Sequence, residues 1–511
     1  MKPTFYHGLL AVCLPLALLA VLRVGILFTD GEIDPDAFYH AKLAELGPDC
    51  FLAKSFPATS MSIWKDHYSD KELGFHLLLW GLFRLRSVCG LSNSFPFHLP
   101  NLLFVAGFLS IFTVLLCRWR IQMPVCYTLL LIALYYGFTL RLLFLRAYLL
   151  SMILFIAVLL LLSAEKWRQR PSRGLILFFL GFIYSWCYSS PHLILLPVLP
   201  FVLAEFLATG KRRNLLLLPS LALAGVFSGL LLHPQFPNTF YIFWIQSWQV
   251  IKMFTGMGPE ANIQGGNELY LRVWSTLRYA PFLVLLPVLL AVLLYWQRNL
   301  FLAAGWRQKI NLNAMLLLSA GSSLAFLWQF RFAEYALPAL VLCSALLLQN
   351  WDTERRRQGQ KELGKKVAGF YALLALLITL PVLSSLEGKN HRPFSGLAQW
   401  TREQQIPAGT IIANLRWGSF PMLFYAMPQY CYLNGLEPMF AFAFDPVKAR
   451  LVEDTLRQRI IPSPKELYQA TNATFLHISI ENRKLAEKLY QVGYKLVYQN
   501  WDGWLFLLET S

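Results

Sequence analysis

The chain has 511 residues, of which 56% are hydrophobic, with 39 Phe and 16 Trp, and its mean hydropathy of +0.48 excludes an ordinary soluble protein. Apolar runs of about 20 residues, the length that crosses a bilayer core, recur along the sequence. The net charge of +17 sits in short Lys/Arg clusters between those runs, as the positive-inside rule produces, and so implies no nucleic-acid partner.

The first span is expected at about 7–28 and reads as a retained helix, because no small-residue cleavage site follows it. Directly after it comes Thr29-Asp30-Gly31-Glu32-Ile33-Asp34-Pro35-Asp36-Ala37-Phe38-Tyr39-His40, with four carboxylates and a histidine in twelve residues. Pro35 suits a helix start, and an Asp36 that opens a helix shares a face with His40. Acids at the mouth of a membrane helix are costly unless they bind something; the alternative is a solvated loop with a helix cap. The polar segment 29–96 continues through Asp66-His67-Tyr68-Ser69-Asp70-Lys71-Glu72-Leu73-Gly74-Phe75-His76. The apolar but short stretch 73–90, carrying Arg84 and Arg86, reads as an interfacial helix. Glu72 and His76, four apart, are either its polar edge or part of a site.

Further spans are expected at about 97–116, 124–140, 148–163, 174–188, 191–207 and 214–232. A second polar segment, 233–280, precedes spans at about 281–296, 311–328, 333–349 and 367–386, giving about eleven in all. With the N-terminus cytoplasmic, every even-numbered span leads into a cytoplasmic linker with at least two Lys or Arg. Segments 29–96 and 233–280, the corners at 141–147 and at Arg331, and the C-terminal region then face the periplasm. Arg141 and Arg146 break the charge rule at their corner, which points to a ligand or partner. Residues 387–511 contain no run long enough to span. Strand-like Thr410-Ile411-Ile412-Ala413 and Thr474-Phe475-Leu476-His477-Ile478 alternate there with helical 446–459 and 480–491, which predicts a soluble α/β domain. The eight cysteines have no CxxC or metal spacing; Cys50 and Cys89 could form a bridge if both are outside the cell.

In this topology the unusual polar groups gather at one face: Asp34, Asp36, His40, Asp70, Glu72 and His76 in the first segment, then Arg146, Glu268, Arg331 and Tyr335. Acids beside arginines at a lipid–water boundary suit a charged, lipid-linked substrate. The acids bind a divalent cation or activate a nucleophile, and an arginine clamps phosphate. The bland alternatives are snorkelling for Arg146 and Arg331 and a loop residue for Glu268. Asp445-Pro446 reads as a helix cap, and His192 and His233 as structural.

The layout of one helix, a large acidic external loop, many spans and an external terminal domain resembles the GT-C superfamily of membrane glycosyltransferases. Asp36-Ala37-Phe38-Tyr39-His40-Ala41-Lys42-Leu43-Ala44-Glu45 is similar to the Asp-Pro-Tyr-Tyr-His-type run of the oligosaccharyltransferase catalytic subunit, which makes Asp36 the counterpart of a metal-site acid. Arg331-Phe332-Ala333-Glu334-Tyr335-Ala336-Leu337-Pro338 resembles the run whose arginine faces the donor phosphate, and Glu268 occupies the place of a loop glutamate near metal and acceptor. Two patterns depart from that family. Leu145-Arg146-Ala147-Tyr148 has no carboxylate where the family has two acids, and Trp417 stands without the aspartate of the acceptor motif.

The resemblance implies a bacterial inner-membrane glycosyltransferase taking a sugar from a polyprenyl-phosphate or -diphosphate carrier. Its acceptor on the periplasmic face would be a protein, glycan or lipid. The implied catalytic residues are Asp36, His40, Glu72 and His76. The implied donor-phosphate residues are Arg331, Tyr335 and Arg146, and the implied Mg or Mn ligands are Asp36, Asp34 and Glu268. The expected domains are 1–386, transmembrane, and 387–511, periplasmic. The rival readings are a flippase or transporter of a lipid-linked or anionic solute, and a non-catalytic scaffold on the same fold.

Overall fold

The computed structural model describes residues 5–26, 31–88, 97–249 apart from 169 and 211, 309–384 and 391–508, with scattered positions between 286 and 295. The chain divides into two compact units. One comprises Met1–Thr29, His98–Gly229 and Gly266–Lys389; the other comprises Asp30–Phe97, Leu230–Gly265 and Asn390–Ser511.

The first unit is helical. Among the described residues six helices are long and apolar enough to cross a bilayer: Phe5–Gly25, His98–Arg118, Pro191–Thr209, Asn214–Leu231, Ile310–Trp328 and Phe330–Arg357. The chain is therefore an integral, polytopic α-helical membrane protein. The apolar helices Tyr148–Ser163 and Ser172–Cys187 have 16 residues each, about 24 Å of rise against a core of about 30 Å. Gly364–Ser384 falls where the last span is predicted, and most of 281–296 lies outside the described residues.

One expected span is corrected. Residues 124–140 do not form one straight helix: Pro124–Ala133 and Tyr136–Leu143 meet at 94°. Tyr135 is extended at the break, and the Thr139 hydroxyl donates to the carbonyls of Ile132 and, at 3.1 Å, Tyr135. A side chain reaching back to the freed carbonyls lets a broken helix persist in an apolar surround. Two buried ion pairs lie among the described residues of this unit. Arg173 donates to both Glu205 oxygens, at 3.0 and 2.6 Å, and Arg141 pairs with Glu334.

The second unit contains a five-stranded sheet of order β2-β1-β3-β5-β4. Its strands are β1 (Ile411–Asn414), β2 (Cys431–Tyr432), β3 (Phe475–Ile478), β4 (Lys495–Asn500) and β5 (Gly503–Leu507). β1 runs parallel to β2 and β3, while β3–β5 and β4–β5 are antiparallel. Parallel neighbours need crossovers, which the helices between β1, β2 and β3 supply. One is Pro446–Leu456, where the Asp445 carboxylate accepts the N–H groups of Val447 and Lys448, the cap its Asp-Pro pattern predicts.

The sheet does not end at β2. Tyr432 N–H donates to Ala58 O at 2.9 Å, and the N–H groups of Ser60 and Met61 donate to the carbonyls of Tyr432 and Leu433 at 2.7 and 3.0 Å. Met61 is buried in the core beneath the sheet. Residues 58–61 therefore continue the C-terminal sheet from the first polar segment and cover an edge that would otherwise be open. Cys50, in the same unit, is a free thiol, and Cys89, the other half of the expected bridge, lies outside the described residues.

Candidate functional site

The helix Asp36–Leu46 carries the first candidates. Pro35 already has helical dihedrals, Asp36 complements the positive end of the helix, and the Asp34 carboxylate accepts the Asp36 N–H at 3.4 Å. The helix stops at Gly47, whose φ of 84° a side-chain-bearing residue rarely adopts. Its residues from Ala37 to Ala41 are all buried, against Leu73–Val88 and Phe420–Ala426. Tyr39 stacks on Trp64 with centroids 5.8 Å apart. Phe38 meets Tyr425 edge-on at 5.2 Å. This packing fixes where His40 points.

His40 Nδ1 lies 2.8 Å from His76 Nε2, and His76 Nδ1 lies 2.7 Å from Asp70 Oδ2. The Asp70 carboxylate accepts the His76 Nδ1–H, which leaves Nε2 to accept from His40. Asp70 is itself held: its other oxygen accepts the Glu72 N–H at 3.0 Å, and its own N–H donates to Gln235 Oε1 at 2.7 Å. Gln235 is anchored in turn by donating to the carbonyls of Phe51, at 3.1 Å, and Ala53. The Glu72 carboxylate lies 3.9 Å from His40 Nδ1. His40, Asp70 and His76 are 4%, 3% and 1% exposed, and Glu72 is 9% exposed. Glu72 and His76 are thus not the polar edge of a surface helix but the centre of a buried cluster.

Aromatic side chains pack around the two imidazoles: Tyr39 and Phe51 against His76, and Phe75 against His40. Tyr39 and Tyr68, hydroxyls 3.3 Å apart, both titrate well above the usual phenol range because they are buried, with the Asp70 charge adding to the effect. Burial pushes the Cys50 thiol up to about 11. Burial also lowers His233, which bonds the Asp70 backbone, to about 4, so it is a neutral donor at pH 7. Low dielectric strengthens each hydrogen bond in the chain from Gln235 to His40.

The other expected residues divide between the two units. Asp34 is buried and Asp36 half-buried, one helical turn before His40. Arg146 and Arg331 are half-buried in the first unit, with Arg331 in the tight turn Phe330–Phe332. The buried Tyr335 hydroxyl lies 2.8 Å from Ser151 Oγ and 3.4 Å from the Tyr184 hydroxyl. Arg141 is corrected. The expected ligand or partner at that corner is, for this arginine, the chain's own Glu334, and its guanidinium lies 4.2 Å from the Tyr148 ring. Glu268 lies outside the described residues. Two participants went unassigned from sequence, Asp70 as the group orienting His76 and Gln235 behind it. Asp70 was visible as one more acid in a dense segment; Gln235, 165 residues away, carried no signal.

No family profile and no curated protein sequence matches the chain. A solved structure does: ArnT from Cupriavidus metallidurans in the apo state, with a TM-score of 0.55, 13% sequence identity and 98% of each chain covered. At that identity the likeness establishes the fold alone, and it does so over 98% of the chain.

Proposed function

We propose that this chain is a membrane glycosyltransferase that moves a sugar from a polyprenyl-phosphate or -diphosphate carrier to an acceptor on the periplasmic face of a bacterial inner membrane. The observation that carries the reading is the buried Asp70–His76–His40 chain, with Glu72, in the first polar segment, one helical turn from Asp36; a GT-C fold is consistent with it. Buried carboxylate–imidazole chains store and move protons at fixed positions, which sugar transfer to a hydroxyl or amide requires. In this reading Asp36, the more exposed group, takes the proton of the acceptor nucleophile. His40, one turn further along the helix, is held by His76 and Asp70 to stabilise that carboxylate. Arg331 and Arg146 supply the positive charge for the carrier phosphate as charge develops on it, and the buried Tyr335 acts from behind them. A divalent ion on Asp36 and Asp34 would sharpen the same charge stabilisation.

The test is transfer from a labelled polyprenyl-linked sugar in membranes containing the chain. Asp36→Asn is expected to lower the rate at least about 1,000-fold with expression intact. Transfer at the wild-type rate by this variant would remove Asp36 from the reaction.

A further inference from the structure

We infer that His40, Glu72 and His76 form a binding site for a zinc-class divalent ion, with Asp70 as the outer carboxylate that sets the orientation of His76. This inference goes beyond the transferase reading and does not depend on it.

One ligand atom from each of the three residues lies within 4.8 Å of the other two. Donor atoms on one tetrahedral zinc, at bond lengths of about 2.0–2.1 Å, stand about 3.3 Å apart. The separations of 2.8 Å between the imidazole nitrogens and 3.9 Å from His40 Nδ1 to Glu72 bracket that value. The third pair, His76 with Glu72, also lies within 4.8 Å, so the three donors need only close onto one centre when an ion binds. The cluster is also built the way metal sites are built. A ligating histidine donates its other N–H to a carboxylate, as His76 Nδ1–H does to Asp70 Oδ2 at 2.7 Å. That bond fixes the tautomer and leaves the Nε2 lone pair directed at the centre. Asp70 is itself locked by Gln235 and the Glu72 N–H.

Proton and charge balance both hold. His40 carries one N–H as a neutral imidazole. Moving it from Nδ1 to the other nitrogen frees Nδ1 as a ligand with no proton released. A dication beside the carboxylates of Glu72 and Asp70 makes the cluster neutral, as a buried site requires. Two imidazoles and one carboxylate favour zinc and its transition-metal neighbours over magnesium, which takes oxygen donors. Three protein ligands also leave a fourth position open, the pattern of reactive rather than closed zinc centres.

The experiment uses the full chain purified in detergent, stripped with chelator and desalted. It is titrated with ZnCl2 and MgCl2 by calorimetry, and with CoCl2 by visible absorption. One Zn2+ per chain is expected, bound at least about 100-fold more tightly than Mg2+, with cobalt bands that zinc displaces. His76→Ala and Glu72→Gln should each weaken binding by at least about 100-fold, and Asp70→Asn by about 10–100-fold. Absence of stoichiometric zinc in the wild type, preference for Mg2+, or wild-type affinity in both ligand variants would overturn the site and leave a plain histidine relay. Should a variant lose its helical circular dichroism, the wild-type zinc stoichiometry and cobalt spectrum decide alone. Sugar transfer is measured separately, so loss of one reading leaves the other standing.

Discussion

Glu334 and Arg141 meet inside the helical unit, at 0% and 2% exposure, with the Tyr148 ring over the guanidinium. Away from water each charge is stabilised by the other. Glu334→Leu is therefore expected to destabilise the protein by about 3–5 kcal/mol, whereas adding Arg141→Met should restore most of the loss. Melting temperatures in detergent check both; equal destabilisation by single and double variants would contradict the pairing. An arginine that breaks the charge rule was legible in the sequence as unusual, but its partner was not. Glu334 lies 193 residues away and looks like an ordinary first-turn acid. The same limit applies at the candidate site. Spacing brought out Asp36 with His40 and Glu72 with His76, because four residues make one helical turn. The contact between those two pairs, and the hold of Gln235 on Asp70, arise only when separate segments pack.

Helices are where sequence reading reached furthest, since a span is written as an uninterrupted apolar run and needs no knowledge of its neighbours. The break at Tyr135 escaped because the apolar run continues across it without a proline or a charge at the break. Its one marker is Gly137, where a Cβ would run into the Tyr135 ring 2.8 Å away. Close packing of helices was similarly hidden. Ser172–Cys187 and Arg213–Leu231 approach so tightly that a Cβ on Gly225 would strike the Phe178 carbonyl and one on Gly181 the Ala222 carbonyl. Small residues permit such contact in lipid, where no hydrophobic force pulls helices together. Gly225→Leu should separate this pair at a cost of about 1–3 kcal/mol or more. Cross-linking of a cysteine pair placed across the contact would report the separation, and unchanged cross-linking yield would count against it.

At the scale of the whole molecule, the sequence pointed to a membrane part and a terminal α/β domain. β1, β3 and the capped helix at Pro446 lie where alternation and the Asp-Pro signal put them. It did not reveal that the terminal sheet takes its edge from residues 58–61, because strand pairing is a property of two segments and only one carries a β pattern. Ser60→Pro removes the N–H that reaches Tyr432 O at 2.7 Å. The amides of β1 and β2 should then exchange with deuterium about 10-fold faster or more, read by mass spectrometry; unchanged protection would mean that the edge contributes nothing to the sheet.

That pairing also fixes an order of events. Ser60 and Tyr432 are 372 residues apart, so at about 5–20 residues per second the first segment waits roughly 20–70 s on the ribosome's clock before its partner exists. Throughout that interval residues 58–61 have unsatisfied backbone groups and Met61 has no core to enter. Completion of the unit that holds His40 and His76 is thereby tied to the last fifth of synthesis, and a chain released early would leave its early loop open to proteases.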